Sequence, residues 1–184
     1  MHRLVSLPLA FRQTCRRLGV SASRVACLIS IRRQQMQLVQ PLAGFMTPSG
    51  VLCQTIRIST SRFGVGQEKG SNRTPLGLHR VARKVGAGWP GGAVFKSREM
   101  IGYTWKGRPG AAITSRIFWL EGLEPGYNQG GEVDTFARYI YIHGTGDEPT
   151  LGRPASRGCI HVSGAELLPL FDRLPEGTLV WIAA

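Results

Sequence analysis

The sequence predicts a mainly β fold in a single domain with one or two short helices. Three observations point to this class: 24 glycines among 184 residues, apolar runs of strand length, and turn signals at short intervals. A chain of this length can bury a sizeable core as one domain. The sequence shows no internal repeat, low-complexity tract or phosphate-loop motif.

The first 22 residues are predicted to form a basic extension that precedes a domain of residues 23–184. Four apolar residues fall loosely at helical spacing between a proline and a glycine: Leu9, Phe11, Cys15 and Leu18. This spacing favours a short basic helix, and a mobile tail is the alternative.

Seven apolar, alternating or β-rich segments predict strands along the domain. They are residues 25–31, 36–40, 50–58, 76–85, 112–120, 138–143 and 178–182. Loops are predicted at residues 61–75 and 122–134, a glycine-rich hinge at 86–92, and a long irregular region at 95–110. Long loops in compact domains often serve function. The aromatic residues Tyr103, Trp105 and Trp119 therefore favour a substrate-cleft wall, with ordinary core packing as the alternative.

A second helix is predicted to begin after Ser163. Ser163 and Glu166 have the spacing of a capping box, in which the serine hydroxyl accepts from the third helical amide. The apolar face that follows comprises Leu167, Leu170, Phe171 and Leu174. Pro175 and Gly177 are typical of a helix end.

The reactive side chains are concentrated in residues 139–161. The alternation of residues 138–143 predicts a strand with Tyr139, Tyr141 and His143 on one face, and the following turn leaves His143 at its end. After a loop comes Cys159, directly preceded by Gly158, which permits a sharp turn. A thiolate attacks carbonyl carbon, but a free cysteine is only slightly ionised at neutral pH and needs a nearby base.

This arrangement predicts a cysteine-dependent acyl transferase or hydrolase, with Cys159 as nucleophile and His143 as general base. Backbone amides near Gly158 could stabilise an oxyanion. Arg157 supplies a positive charge for the thiolate, and the Ser156 hydroxyl could orient a neighbour or bind substrate.

The remaining cysteines and His79 have structural interpretations. Small buried side chains are expected at Cys15, Cys27 and Cys53, and His79 is expected on a strand face. Zinc could be ligated by His143, Cys159 and His161, but no fourth ligand has suitable spacing. We therefore expect no metal and no other cofactor.

These motifs resemble the signature of the L,D-transpeptidase (YkuD-like) catalytic domain. The signature blocks are residues 143–145 (His-Gly-Thr) and, after a loop, 156–160 (Ser-Arg-Gly-Cys-Ile). Individually weaker blocks occur in the expected order at residues 58–61, 70–77, 94–97, 114–117 and 177–182. The resemblance covers roughly residues 24–184.

The resemblance implies a β-sandwich or barrel-like catalytic domain that acts on peptidoglycan stem peptides. Such a domain would form a thioester with a tetrapeptide stem, release D-alanine and transfer the acyl group to an amine of a second stem, cross-linking the cell wall. The backbone at Gly158 and Cys159 would form the oxyanion hole.

The resemblance also implies roles for residues around the nucleophile. The residues expected to shape the site are Ser156, Arg157, Gly144 and Thr145. Substrate-binding roles are expected for His161, Tyr141 and Arg116. Arg157 stands where many members have histidine, and His161 stands where arginine or asparagine is usual.

Two other functions are consistent with the sequence. The same cysteine and histidine could serve an L,D-carboxypeptidase or stem-peptide hydrolase, with water as acceptor. A non-catalytic cell-wall-binding module is the other alternative, because a formal charge of +12 attracts polyanions. Nucleic acid is not an expected partner, since the basic residues are spread over the chain, aromatic residues are few and no nucleic-acid-binding motif is present.

The resemblance implies a periplasmic or cell-wall-facing location for a monomer. No stretch approaches the roughly 18–20 apolar residues of a membrane span. The apolar residues 4–11 are interrupted by Pro8 and followed by Arg12, so no clear signal peptide is predicted. The spacing of the four cysteines does not indicate a disulfide framework.

Overall fold

The computed structural model describes residues 3–21, 23–42 and 48–184. Within these residues, eleven strands belong to one sheet and two α-helices accompany it. The strands are β1 (Arg3–Ser6), β2 (Ala26–Ser30), β3 (Gln35–Pro41), β4 (Ser49–Arg57), β5 (Gly77–Val85), β6 (Ala93–Lys96), β7 (Glu99–Tyr103), β8 (Thr114–Gly122), β9 (Tyr141–Gly144), β10 (Ile160–Val162) and β11 (Leu179–Ala183). The helices are α1 (Leu9–Arg17) and α2 (Gly164–Arg173), and short 3₁₀ turns lie at Gly131–Val133 and Glu148–Thr150.

The sheet is mixed and curls towards closure. Its main order is β1-β4-β3-β2-β11-β5-β8-β6-β7, and β9 pairs with both β8 and β10. The parallel pairs are β2 with β11 and β9 with β10. Just after β4, Ser59 forms an isolated bridge with His161 of β10. The mainly β, barrel-like fold predicted from the sequence is therefore confirmed.

One apolar core fills the inside of this curled sheet. Every second residue of a strand points to the same face, so the inward positions of β2, β3, β9 and β10 supply isoleucine, leucine, valine and methionine. Helix α2 covers the core with Leu167, Leu170, Phe171 and the following Leu174. We call this set the central core. It is the platform on which β9 and β10 lie.

The predicted strands that flank the site are confirmed with shifts of a few residues at their ends. The capping box is also confirmed, because the Glu166 amide donates to Ser163 Oγ at 3.3 Å. In turn, the Ser163 hydroxyl donates to Glu166 Oε2 at 2.9 Å. This local network sets the start of α2 two residues after β10 ends.

The prediction of an irregular region over residues 95–110 was wrong at its start. Strands β6 and β7 form an antiparallel hairpin in which Lys96 pairs with Glu99. The two-residue loop consists of Ser97 and Arg98, with φ of 50° and 69°. Two consecutive positive φ values are typical of the tight turns that join hairpins. Glycine or asparagine usually marks such a turn, so its sequence signal was missing here.

The predicted strand over residues 138–143 was also too long. Strand β9 begins at Tyr141, and Tyr139 lies in the preceding turn with φ of 57°. A left-handed conformation at a non-glycine residue interrupts the alternation that the sequence suggests. Tyr139 therefore does not share a strand face with Tyr141 and His143.

The N-terminal segment packs on the outer face of the sheet. The predicted helix is confirmed as α1, whose buried residues Phe11 and Cys15 join a second apolar cluster with Leu7, Leu28 and Leu179. Strand β1 pairs with β4, and Arg17 forms an ion pair with Glu124 at 2.7 Å. The domain boundary after residue 22 stays a prediction. No helix among the described residues has the length and apolar character needed to cross a membrane.

Phe11→Ala is expected to destabilise the protein by about 3–5 kcal/mol, because Phe11 is fully buried and lies 6.0 Å from the Trp181 ring. Leu9→Ala is the matched control, since Leu9 is 60% exposed on the same helix, and we expect a change within about 0.5 kcal/mol. Denaturant unfolding followed by fluorescence measures both. Equal, small effects would contradict this packing of α1.

Candidate active site

The turn that carries Cys159 is fixed by the segment that follows β4. The amides of Ala155 and Ser156 both donate to the Thr60 carbonyl, at 2.9 and 3.0 Å. Thr60 is itself held by Gln34, whose Oε1 accepts from the Thr60 amide at 2.8 Å and whose Nε2 donates to Thr60 Oγ1 at 2.7 Å. These groups are buried, so their hydrogen bonds specify the position of the turn.

Within the turn, the backbone between Ser156 and Cys159 is closed by short contacts. The Ser156 hydroxyl donates to the Cys159 carbonyl at 2.6 Å and accepts from the Gly158 amide at 3.3 Å. Thr74 Oγ1 donates to the Gly158 carbonyl at 3.0 Å. Gly158 has φ of +118°, and a Cβ there would lie 3.3 Å from Ile140 Cδ1. Only glycine fits this conformation without strain.

Parallel pairing of β9 and β10 brings the predicted nucleophile and base to one face of the sheet. His161 pairs with His143, and Ile160 pairs with Ile142. Both isoleucines belong to the central core, so the alternate residues point the other way. Cys159, which directly precedes β10, packs in the apolar cluster that contains Tyr141. Cys159 and His143 thus lie on the face opposite the core.

A backbone carbonyl selects the tautomer of His143. The Nδ1 atom of His143 lies 2.8 Å from the carbonyl oxygen of Gly144. A carbonyl can only accept, so Nδ1 carries the proton and Nε2 keeps its lone pair. The carbonyl also orients the ring, as a third group commonly does for a base in nucleophilic sites. His143 is therefore arranged to accept a proton at Nε2.

The sulfur of Cys159 contacts two backbone groups of the facing segment. The Tyr141 amide donates to Sγ at 3.4 Å, and the thiol donates to the Tyr139 carbonyl at 3.5 Å. Burial raises the pKa of the Cys159 thiol to about 11, although the Tyr141 amide and the Arg138 guanidinium both act to lower it. The resting sulfur is consequently a thiol at neutral pH.

The imidazole of His143 is also uncharged at neutral pH. Burial and the neighbouring His161 lower the pKa of His143 to about 3, opposed by its bond to the Gly144 carbonyl. The two imidazole rings lie 4.8 Å apart. Since the Cys159 thiol also keeps its proton, the resting pair is neutral. The predicted attack of Cys159 on a carbonyl would therefore require proton transfer from the sulfur to Nε2 in the same step.

Arg138, which sequence reasoning missed, supplies a positive charge that acts to lower the pKa of the Cys159 thiol. Its guanidinium donates to the carbonyl oxygens of Gly66, Gln67 and Arg73 in the loop before β5, at 2.7–3.2 Å. It also lies 3.5 Å from Ser71 Oγ in the same loop. Arg157, which was expected to supply this charge, has an exposed side chain. Arg138 precedes the alternating run as an ordinary arginine, so the sequence carried no signal for its role.

Aromatic rings form one wall beside the sulfur. Trp119 stacks on Phe136 with ring centroids 4.0 Å apart, and it contacts Tyr139 and Tyr141 at 5.4 and 5.6 Å. The Arg98 guanidinium lies 5.0 Å from both the Trp119 and the Tyr139 rings. Tyr139 is 51% exposed, whereas Tyr141 is 5% exposed. Solvent therefore meets the ring of Tyr139 rather than that of Tyr141.

Trp119 and Trp105 differ from each other in their surroundings. Trp119 is 7% exposed in the cluster described above, which matches the core alternative. Trp105 is 59% exposed and stacks on Tyr103 at 4.7 Å. It lines a depression together with Thr145 and Glu148, so the cleft-wall interpretation stays a prediction for Trp105.

Gly144, Thr145 and His161 were also predicted to belong to the site. Gly144 is buried, and a Cβ there would lie 2.7 Å from the Thr114 carbonyl oxygen, so glycine allows β9 to pair closely with β8. Thr145 Oγ1 accepts from the Asp147 amide at 3.1 Å and closes the turn after β9. His161 adjoins His143, and its buried Nδ1 has no hydrogen-bond partner among the described residues.

Arg116 does not join this group, and its substrate-binding role stays a prediction. Its guanidinium lies 5.2 Å from the Phe171 ring of α2 and donates to the Ser115 carbonyl at 2.7 Å. Phe171 belongs to the central core, whereas Cys159 packs on the other face of the sheet. The alternation of β8 thus turns Arg116 away from the sulfur.

Sequence reasoning also missed the support that Thr74 gives to the Gly158 carbonyl. Residues 70–77 formed one of the weaker blocks of the family resemblance, so the sequence marked this segment but did not show that Thr74 contacts the Gly158 carbonyl. His79 lies in β5 as expected and is fully buried. No group of three or more histidine, cysteine, aspartate or glutamate side chains comes together within the part of the chain that the structure describes.

Alkylation of Cys159 by iodoacetamide is expected to accelerate about tenfold per pH unit from pH 7 to 9, because only the thiolate reacts and the pKa of the thiol is about 11. Cys53→Ser removes the exposed competing thiol, and peptide mass mapping of this variant measures the alkylation of Cys159. A rate that is already constant below pH 7 would indicate a preformed thiolate–imidazolium pair and contradict the neutral resting state.

Several solved structures of other proteins share the fold of this chain. Bd1075 of Bdellovibrio bacteriovorus superposes with a TM-score of 0.55 at 14% identity, covering 88% of this chain and 48% of its own. L,D-transpeptidase 3 of Mycobacterium tuberculosis gives 0.51 at 14% identity, covering 88% and 61%. LdtMt1, solved in complex with imipenem, gives 0.52 at 16% identity, covering 87% and 59%. These likenesses show a shared fold, and the chain spans about half to three fifths of each structure's length.

No curated protein matches the sequence of this chain. A family model described as the L,D-transpeptidase catalytic domain (YkuD) matches residues 27–182, which include all of the site described above. The chain therefore belongs to the L,D-transpeptidase catalytic domain family.

Proposed function

We propose that this protein is a cysteine-dependent peptidoglycan L,D-transpeptidase. The observation that carries the proposal is the placement of Cys159 and His143 on one face of paired strands, with the His143 tautomer set by the Gly144 carbonyl. Family membership supports peptidoglycan peptides as the substrate class. Residues 23–184 would form the catalytic domain, and the location would be periplasmic or facing the cell wall.

The first half-reaction is acylation of the cysteine by a tetrapeptide stem. The Cys159 sulfur attacks the carbonyl that precedes the terminal D-alanine, and His143 Nε2 takes the thiol proton as the carbon–sulfur bond forms. The oxyanion is stabilised by backbone amides around Gly158. The carbon–nitrogen bond then breaks, and D-alanine leaves with the proton from His143.

The Gly158 turn supplies the oxyanion groups without a large rearrangement. Its amide donates to Ser156 Oγ over a long 3.3 Å contact, which a charged oxygen would compete for effectively. The Gly158 carbonyl accepts from Thr74 Oγ1, which restrains the peptide plane that also carries the Cys159 amide. Ser156 and Thr74 are therefore proposed as positioning residues.

The second half-reaction transfers the acyl group to an amine of a second stem. The amine attacks the thioester carbonyl and loses its proton to His143 Nε2. The carbon–sulfur bond breaks, and the departing sulfur recovers the proton from His143. Cys159 and His143 thus return to the neutral state in which they began, with a new amide bond as product.

Cys159→Ala is expected to abolish both D-alanine release and covalent labelling by a carbapenem, because each needs the sulfur. Intact-protein mass after incubation with imipenem reports the adduct. Cys53→Ser is the matched control, since Cys53 is the exposed thiol outside the site, and it should label like the parent. Equal labelling of Cys159→Ala and parent would reject the assignment.

His143→Ala is expected to slow acylation by about 10²–10⁴, the usual contribution of a positioned general base. Thermal unfolding checks that the fold persists.

The acceptor is identified by incubating the parent with a disaccharide-tetrapeptide and following dimer, tripeptide and D-alanine by mass. Tripeptide without dimer at high amine concentration would indicate a hydrolase instead of a transpeptidase.

A further inference from the structure

A groove with a strong positive charge adjoins the predicted nucleophile. It runs between the loop that precedes β5 and the turn that precedes β9. We call it the basic groove and define it by Lys69, Asn72, Arg138, Tyr139, Ile140 and Arg157. No carboxylate side chain lines it.

The basic groove is connected to the sulfur through one of its lining residues. One of its walls is Tyr139, whose carbonyl oxygen lies 3.5 Å from Cys159 Sγ. Arg157 lies two residues before Cys159 in the same turn, and Ile140 lies under Gly158. A peptide bound with its scissile carbonyl at the sulfur would therefore extend part of its length past these residues.

The three cations of the groove fall into two kinds. Arg138 is held in place by its bonds to the loop carbonyls, so it contributes a fixed charge. Lys69 and Arg157 have exposed side chains. The ion pairs present among the described residues are Arg17–Glu124 and Arg80–Glu121, so neither Lys69 nor Arg157 has a carboxylate partner there.

We propose that the basic groove is a subsite for a free carboxylate of the donor peptide, with Lys69 and Arg157 as the residues that bind it. This inference rests on the proposed function for the identity of the peptide. The carboxylate could be that of the terminal D-alanine or one carried by an internal residue of the stem. Both present the same planar anion, which a guanidinium and an ammonium group recognise by charge-assisted hydrogen bonds.

A pair of alkylating reagents tests the subsite without requiring turnover. Iodoacetate and iodoacetamide react by the same displacement, in which the thiolate forms a carbon–sulfur bond and iodide leaves, but only iodoacetate carries a carboxylate. The variant is Lys69→Gln/Arg157→Gln in a Cys53→Ser background. The control is Arg24→Gln/Arg173→Gln, which removes two exposed charges from a different groove at the end of α2.

The measured quantity is the ratio of the iodoacetate rate to the iodoacetamide rate at Cys159, at fixed pH and low salt. We expect this ratio to fall about fivefold in the groove variant and to stay unchanged in the control, because the local positive field concentrates the anion. The same ratio in all three proteins would overturn the subsite. Since no peptide is involved, this result is independent of whether the proposed function holds.

Peptide substrates then identify the carboxylate. Tetrapeptides amidated either at the terminal carboxylate or at the internal one are compared with the free acid for D-alanine release. Amidation of the bound carboxylate should raise KM about tenfold in the parent and add little in the groove variant. If neither amidation changes KM in a protein that turns the free peptide over, the subsite is rejected.

Discussion

The parallel pairing of β9 with β10 is the constraint on which the site depends. It places His143 level with His161 and leaves Cys159 one residue before β10, on the same face. The isoleucines between these residues are packed in the central core, so a shift of either strand by one residue would exchange them with His143 and Cys159 between the two faces of the sheet. Fold stability and site geometry are thus set by the same contacts.

The neutral state of the pair follows from where this pairing occurs. His143 is 2% exposed and Cys159 packs in the apolar cluster that contains Tyr141, and burial disfavours the charged form of each. Burial raises the pKa of Cys159 and lowers that of His143. A thiol that ionises only as it attacks a bound carbonyl is protected from adventitious alkylation and oxidation. Such a thiol loses its proton only after the carbonyl of a substrate has been bound next to it.

Much of the fold could be predicted from local patterns in the sequence. The capping box at Ser163 and the helix after Pro8 depend on residues close together in the sequence, and most strands carry a local apolar or alternating pattern, so their signals were visible. The hairpin at Ser97 and Arg98 was missed because its positive φ values occur at residues that rarely adopt them. The same reason hid the turn at Tyr139, where tertiary contacts override residue preference.

The candidate site could be predicted in part. The spacing of His143, Gly158 and Cys159 predicts the catalytic residues because their chemistry and a family signature coincide, and this assignment stays a prediction. Arg138 and Thr74 could not be found, since each acts on the site across a fold that brings distant segments together. Arg116 lies in the bulge of β8 and packs against Phe171 of α2, which the sequence does not reveal, and its substrate-binding role stays a prediction.

The most direct test of the neutral pair is the protonation state of His143 in solution. Long-range ¹H–¹⁵N NMR of histidine-labelled protein distinguishes the two tautomers from the imidazolium, and loss of the signals in His143→Gln assigns them. We expect a neutral ring with the proton on Nδ1 from pH 7 down to pH 5, since the pKa of His143 is about 3. A doubly protonated His143 at pH 6–7 would contradict it.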